Sequence, residues 1–103
     1  MAGTVRIIRD EEGFGDLAAG EVLVCAFTNP AWTPLFALAG AVVTDAGGAA
    51  SHAAIVAREY GIPAVMGTGM ATSLLRDGQR VSVDGTHGTV TPLPGPTGLA
   101  EPG

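Results

Sequence analysis

The sequence predicts one small α/β domain in which at least some strands pair in parallel. Of its 103 residues, 47% are hydrophobic and 15% charged. That balance can bury a core and is the reverse of the weak hydrophobicity and strong charge of disordered chains. The second observation is alternation: apolar, β-branched runs are separated by short helix-favouring segments, and a parallel pair needs such a crossover to return the chain to the same end of the sheet. The runs are also nearly continuous rather than alternating with polar residues, which suits strands buried on both faces.

Taken in order, Val5-Arg6-Ile7-Ile8 reads as a short strand, and Asp10 to Asp16 as an acidic, glycine-punctuated loop with solvated charges. Glu21 to Phe27 is the first core strand. Thr33-Pro34 then looks like a helix start, with Thr33 as N-cap and Pro34 at the first helical position, followed by Leu35 to Ala39 and a Gly40 stop. Trp32 and Phe36 are expected to be packing residues. Ala41 to Thr44 is a second buried strand, and it runs into the most unusual stretch of the chain, Asp45-Ala46-Gly47-Gly48-Ala49-Ala50-Ser51-His52.

From Ser51 to Tyr60 the residues favour helix, with Gly61-Ile62-Pro63 as the stop, so His52 lies in the first turn. Ala64-Val65-Met66 is a further short strand and Ala71 to Leu75 a short helix. Arg80 to Val83 and Thr89 to Thr91 form a hairpin turned by Asp84-Gly85-Thr86-His87-Gly88. The domain is expected to occupy residues 1–91. Residues 92–103, with four prolines and three glycines, are expected to form a flexible tail.

Composition narrows the function. Ten acidic residues against five basic ones give a net charge of −5, and the basic residues are all arginine; nucleic acid is therefore not an expected partner. No apolar run is long enough to span a bilayer and the first residues lack the pattern of a signal peptide, so no membrane partner is expected and the default address is the cytoplasm. Cys25, the single cysteine, has no internal disulfide partner and reads as a buried thiol within a strand. No metal site or catalytic triad is expected, because His87, the other histidine, falls in a hairpin turn and reads as an exposed turn residue.

The chemistry concentrates at His52. A strand, two glycines and a helix whose first turn carries a hydroxyl and an imidazole form an anion-receiving arrangement. Glycine lets another molecule's bulky group approach the backbone, and the helix N-terminus offers unpaired N–H groups and partial positive charge. The same dipole disfavours imidazolium by ~0.3–1 kcal/mol at an exposed terminus and helps keep the ring nucleophilic. On these grounds alone two readings stand: a phosphorylated nucleophile, or a structural histidine capping a loop.

The run Gly47-Gly48-Ala49-Ala50-Ser51-His52-Ala53-Ala54-Ile55-Val56-Ala57-Arg58-Glu59-Tyr60-Gly61-Ile62-Pro63-Ala64-Val65 resembles the signature of the mobile, swivelling phosphohistidine domain of phosphoenolpyruvate-utilising enzymes. The similarity extends to Gly20 to Val24, to Thr28-Asn29-Pro30-Ala31-Trp32-Thr33-Pro34-Leu35-Phe36 and to Asp77 to Val81, and it leans towards the phosphoenolpyruvate synthase and rifampicin phosphotransferase branch. Residue by residue, the resemblance puts the phosphorylated histidine at His52 and the glycine pair at Gly47 and Gly48. Ser51, the only hydroxyl between the glycines and His52, is expected to orient the imidazole or contact the phosphoryl group. Arg58 matches the pattern too, as a phosphate contact or as a structural arginine. The chain departs from the pattern at Ala50, where the family usually has a polar residue, and at Ala46, where dikinase and synthase members have arginine.

The resemblance implies a swivelling β/β/α fold with mixed sheets and short helices, and a carrier cycle within a dikinase-type phosphotransferase. An ATP-grasp domain or subunit phosphorylates the histidine with Mg-ATP, and the domain then delivers the phosphoryl group to pyruvate or a small-molecule hydroxyl at a second, acceptor-binding domain or subunit. Mg2+ and ATP are thus expected at the partner's site, with no cofactor bound by this domain. The alternative, for which Ala46 and Ala50 are the motive, is a non-catalytic docking module of the same fold.

Overall fold

The computed structural model describes residues 1–94. Six strands, β1 (Ala2–Ile7), β2 (Val22–Cys25), β3 (Ala41–Thr44), β4 (Ala64–Val65), β5 (Arg80–Asp84) and β6 (Thr89–Pro92), form one sheet in the order β4-β3-β2-β1-β5-β6. Pairing from β1 through β4 is parallel, whereas β5 lies antiparallel to β1 and to β6. The expected mixed α/β fold is therefore present, with its mixed character arising inside a single sheet. Strand β1 is the joint: Ala2 to Thr4 face Ser82 to Arg80 of β5, while Val5 to Ile7 face Val22 to Val24 of β2.

The sheet curls until it nearly closes. A Cβ built on Gly85, just beyond β5, would stand 3.1 Å from the backbone nitrogen of Ala64 in β4, so glycine eases this close approach of the two ends. Curling gives the sheet an inside and an outside, and the central strands serve both. Val22 and Val24 of β2 and Ala41 and Val43 of β3 point inward with Val5, Val65, Ala71, Val81 and Val83. Leu23, Cys25 and Val42 point outward, where Leu35, Phe36, Ala53, Val56 and Ala57 cover them. Every residue of β2 and β3 is buried, which is why their sequences read as continuous apolar runs.

The crossovers differ from expectation in two places. The acidic stretch is a 3-10 turn, Glu11–Asp16, because the Asp10 carboxylate accepts from the Glu12 N–H and caps it. This turn sets Phe14 edge-on against Trp32, with ring centroids 4.9 Å apart, and Trp32 is buried as expected of a packing residue. The entry to helix α1 (Thr33–Phe36) is capped by Asn29 rather than Thr33. The Asn29 side chain accepts from the Ala31 N–H at 2.9 Å and starts a 3-10 turn, Pro30–Trp32, that runs straight into α1. Thr33 is thus already helical and its hydroxyl is released from capping.

Helix α2 (His52–Tyr60) carries β3 to β4, and α3 (Ala71–Leu74) leads towards β5. Helix α2 ends as its composition predicts, with Gly61 left-handed and the Ile62 N–H donating to the Ala57 carbonyl at 3.0 Å. Strand β6 continues to Pro92, and the Leu93 N–H donates to the Arg80 carbonyl at 2.9 Å, so the ordered pairing reaches into the first residues of the expected tail. The rest of that tail lies outside the described residues.

Candidate functional site

The site is built where β3 gives way to α2. The chain leaving β3 is fastened on both sides by backbone bonds. Asp45 N–H donates to the Cys25 carbonyl and Ala46 N–H to the Ala26 carbonyl, while the carbonyls of Thr44 and Asp45 accept from the N–H groups of Thr68 and Gly69. The Asp45 carboxylate adds two more bonds, accepting from the Thr72 N–H at 3.0 Å and from its hydroxyl at 2.5 Å. A side chain on Gly67 would come within 2.9 Å of the Gly47 carbonyl, so the loop beyond β4 packs directly on the glycine loop.

The two glycines have different tasks. Gly47 has φ +104°, a conformation unfavourable to L side chains, and a Cβ there would sit 3.0–3.1 Å from Ser51 Cβ and Oγ. Gly48 is free of both constraints: nothing lies within 4 Å of where its Cβ would be. The fold requires the first glycine, whereas the second leaves the backbone open to an approaching group.

Ser51 is the N-cap of α2. Its Oγ donates to the Gly48 carbonyl at 2.7 Å and accepts from the Ala54 N–H at 3.3 Å. The hydroxyl proton is therefore spent on the loop, and Ser51 does not reach the imidazole. His52 is the first residue of α2, half-buried, with the edge of its ring against Phe36 at a centroid distance of 6.1 Å.

Two other hydroxyls hold the ring. Thr28 Oγ1 lies 2.7 Å from His52 Nδ1, and Thr33 Oγ1 lies 3.4 Å from Nε2. The first is a short hydrogen bond and the second a slack one. If Nδ1–H donates to Thr28, the neutral ring carries its lone pair on Nε2, the nitrogen with the looser contact. Thr28 and Thr33 are the ring contacts that residue-by-residue reasoning missed. Their signal was the Thr28 to Phe36 stretch itself, which matched the family without revealing that its threonines face the histidine.

The remaining sequence-predicted residues fall elsewhere. Arg58 sits six residues along α2 from His52, and its guanidinium donates to the Ala49 carbonyl at 3.2 Å. There it lines a surface groove of about 730 Å³ with Ala49, Ala54, Pro63, Asp84 and Gly85, a groove that His52 does not border. The structure thus brings Gly47, Gly48, Ser51 and His52 together and leaves Arg58 bracing the far side of the loop. His87 is exposed in its turn, with Nδ1 2.7 Å from Asp84 Oδ2. Cys25 is buried, and desolvation, helped by the charge of Asp45, pushes its thiol up to about 12. Among the described residues, no helix is long and apolar enough to cross a membrane.

Comparison with known proteins agrees with this geometry. Residues 17–88 match the family described as PEP-utilising enzyme, mobile domain. The chain is 58% identical over 89 residues to an uncharacterized phosphotransferase, YvkC, of Bacillus subtilis, covering 86% of this chain and 11% of that protein. It is 49% identical over 90 residues to a rifampicin phosphotransferase of Streptomyces sviceus, with 87% of this chain and 10% of the relative covered. With a phosphoenolpyruvate synthase of Aeropyrum pernix it shares 51% over 90 residues, 86% of this chain and 11% of the relative. Among solved structures, the NMR solution structure of Enzyme I (nEIt) superposes with a TM-score of 0.68 at 35% identity, over 84% of this chain and 36% of the other. The chain therefore spans about a tenth of the length of the curated relatives named here. A histidine at a helix start behind a glycine pair, on a nearly closed mixed sheet and with this match over most of the sequence, makes the chain a member of the PEP-utilising enzyme mobile-domain family.

Proposed function

We propose that the chain is the phosphoryl carrier of a dikinase-type phosphotransferase, with His52 as its phosphorylated residue. The observation that carries this reading is the asymmetry at the imidazole: Nδ1 is engaged by Thr28 at 2.7 Å, while Nε2 has only the 3.4 Å contact with Thr33. A nucleophile needs one nitrogen protonated and anchored and the other bearing a lone pair, and donation from Nδ1–H to Thr28 gives that arrangement.

In the proposed step Nε2 attacks phosphorus, forming the P–N bond. The bond from phosphorus to the bridging oxygen of the donor breaks, and that oxygen leaves with the electron pair. Nδ1 keeps its proton throughout, and Thr28 accepts a stronger hydrogen bond as positive charge grows on the ring. Ser51 holds the helix start in register by capping, and the open backbone at Gly48 gives the donor group room to approach. Arg58 supports the same loop through Ala49. The donor, Mg-ATP, belongs to an ATP-grasp partner. The acceptor, pyruvate or a small-molecule hydroxyl, belongs to a second partner site, and the cycle runs in the cytoplasm. The names of the relatives, rifampicin phosphotransferase and phosphoenolpyruvate synthase, support this choice of acceptor chemistry.

The test is direct phosphorylation by a small donor, phosphoramidate, followed by 31P NMR and mass spectrometry. One phosphate is expected, labile in acid and stable in base, absent from His52→Ala and retained in His87→Ala. A chain that takes up no such phosphate, under conditions where free histidine does, is a docking module instead.

A further inference from the structure

We infer that Thr33 is a second catalytic residue of the carrier, its hydroxyl donating a hydrogen bond to the phosphoryl group while that group is on Nε2 of His52. The inference rests on the reading of His52 as the carrier residue and adds a role for a residue that this reading leaves idle. Three observations converge on it. First, Asn29 performs the capping that the sequence suggested for Thr33, so the Thr33 hydroxyl is not committed to the helix start. Second, that hydroxyl lies at Nε2 rather than at Nδ1. Third, its position is held from both sides: the Thr33 N–H donates to the Pro30 carbonyl, and the neighbours Trp32, Leu35 and Phe36 are buried.

The distances divide the labour between the threonines. At 2.7 Å, Thr28 makes a full hydrogen bond to the resting ring. At 3.4 Å, Thr33 is close enough to mark the same nitrogen but too far to bind it well. A phosphoryl group on Nε2 carries its oxygens beyond the nitrogen that the Thr33 hydroxyl already approaches. The hydroxyl then changes partner from a weakly held ring nitrogen to an anionic oxygen, making a charge-assisted bond absent from the ground state. An interaction gained only as the P–N bond forms is the kind that lowers the barrier. Thr33 transfers no proton. With phosphoramidate, Nε2 bonds to phosphorus, the phosphorus–ammonia bond breaks, and ammonia leaves with the electron pair.

The experiment compares wild-type chain, Thr33→Val, Thr33→Ala and Thr33→Ser in single-turnover phosphorylation by phosphoramidate. 31P NMR identifies the labelled nitrogen, and 15N NMR of the imidazole reports where the ring proton sits. Both hydroxyl deletions should slow labelling roughly 10- to 150-fold, the equivalent of one charge-assisted hydrogen bond. The Nδ1 proton signature should be unchanged in both, and Thr33→Ser should recover most of the rate. Equal rates for wild type and both deletions would overturn the inference while leaving His52 as the carrier. So would a slowed rate accompanied by a shifted ring proton, since that would place the effect on the imidazole. A wild-type chain that takes no label at Nε2 would remove the carrier reading and this inference together.

Discussion

The chain has two histidines, each following a strand and each with a hydrogen bond of 2.7 Å at Nδ1, yet their surroundings are opposite. His87 stands in the β5–β6 turn with its side chain 76% exposed, bonded to the carboxylate of Asp84 three residues earlier. His52 is half-buried at the start of α2, between two threonine hydroxyls that come from another segment of the chain, and against the edge of Phe36. A carboxylate can only accept, so it requires N–H on the nitrogen it binds. A hydroxyl can accept from a neutral ring without adding charge. The two rings thus differ less in their bond at Nδ1 than in the charge of the partner there and in the second hydroxyl contact, which His52 has from Thr33 at Nε2.

The largest contrast comes from deleting each ring. His52→Ala should lose all base-stable, acid-labile phosphate, whereas His87→Ala should be labelled at the wild-type rate, as measured by phosphate incorporation over time. Exchanging the partner comes next. In Thr28→Val the Nδ1 anchor disappears, and labelling should fall on the order of 10- to 100-fold with a visible redistribution of the ring proton in 15N NMR. An unchanged proton signature would mean that Thr28 is merely packed beside the ring.

Smaller effects separate the loop's structural parts from its functional ones. Gly47→Ala forces a side chain into a left-handed backbone conformation against Ser51 and should cost about 1–3 kcal/mol in urea unfolding. Gly48→Ala meets open space and should change stability by no more than about 0.5 kcal/mol. Ser51→Ala, which removes the cap, should lower stability by about 0.5–2 kcal/mol and labelling by only a few fold. A rate loss in Ser51→Ala as large as that in Thr28→Val would show that the helix start itself aims the ring.

The smallest effect is at the other histidine. The Asp84 carboxyl is held below its usual value, first by the His87 side-chain hydrogen bond and then by the His87 backbone N–H. A depressed carboxylate contributes stability above its unfolded value and loses it as pH falls through the folded one. Thermal melts between pH 5 and 2 should therefore decline slightly less steeply for Asp84→Asn than for wild type. Phosphate labelling at neutral pH should be identical in the two.

The sequence revealed the parts of this site that are local. A glycine pair, a serine cap and a histidine at a helix start are neighbours in the chain, and their meaning follows from backbone conformation and unpaired N–H groups alone. The core strands β2 and β3 were equally plain, because strands buried on both faces leave continuous apolar runs. What stayed hidden was non-local. Thr28 and Thr33 meet His52 from 24 and 19 residues away, and a threonine beside a proline has a ready local explanation as a cap. That explanation failed because Asn29 starts the turn earlier and takes the capping role first. The pairing order was hidden for a related reason: apolar runs announce strands but do not say that β1 divides its length between β2 and β5.

That division governs how the chain comes together. Strands β1 to β4, with their crossovers, can assemble from the first part of the chain, and the loop bearing His52 lies within them. The opening residues of β1, however, find their antiparallel partners only at Arg80 to Ser82. A closure joining sequence positions so distant carries a large entropic cost before it is rewarded, and topologies of this kind fold slowly. During synthesis the inner valine layer stays open on one side until β5 emerges, because Val81 and Val83 complete it. A fragment ending before residue 80 would thus carry its helix start and its histidine on a sheet that lacks this seal, open to proteases.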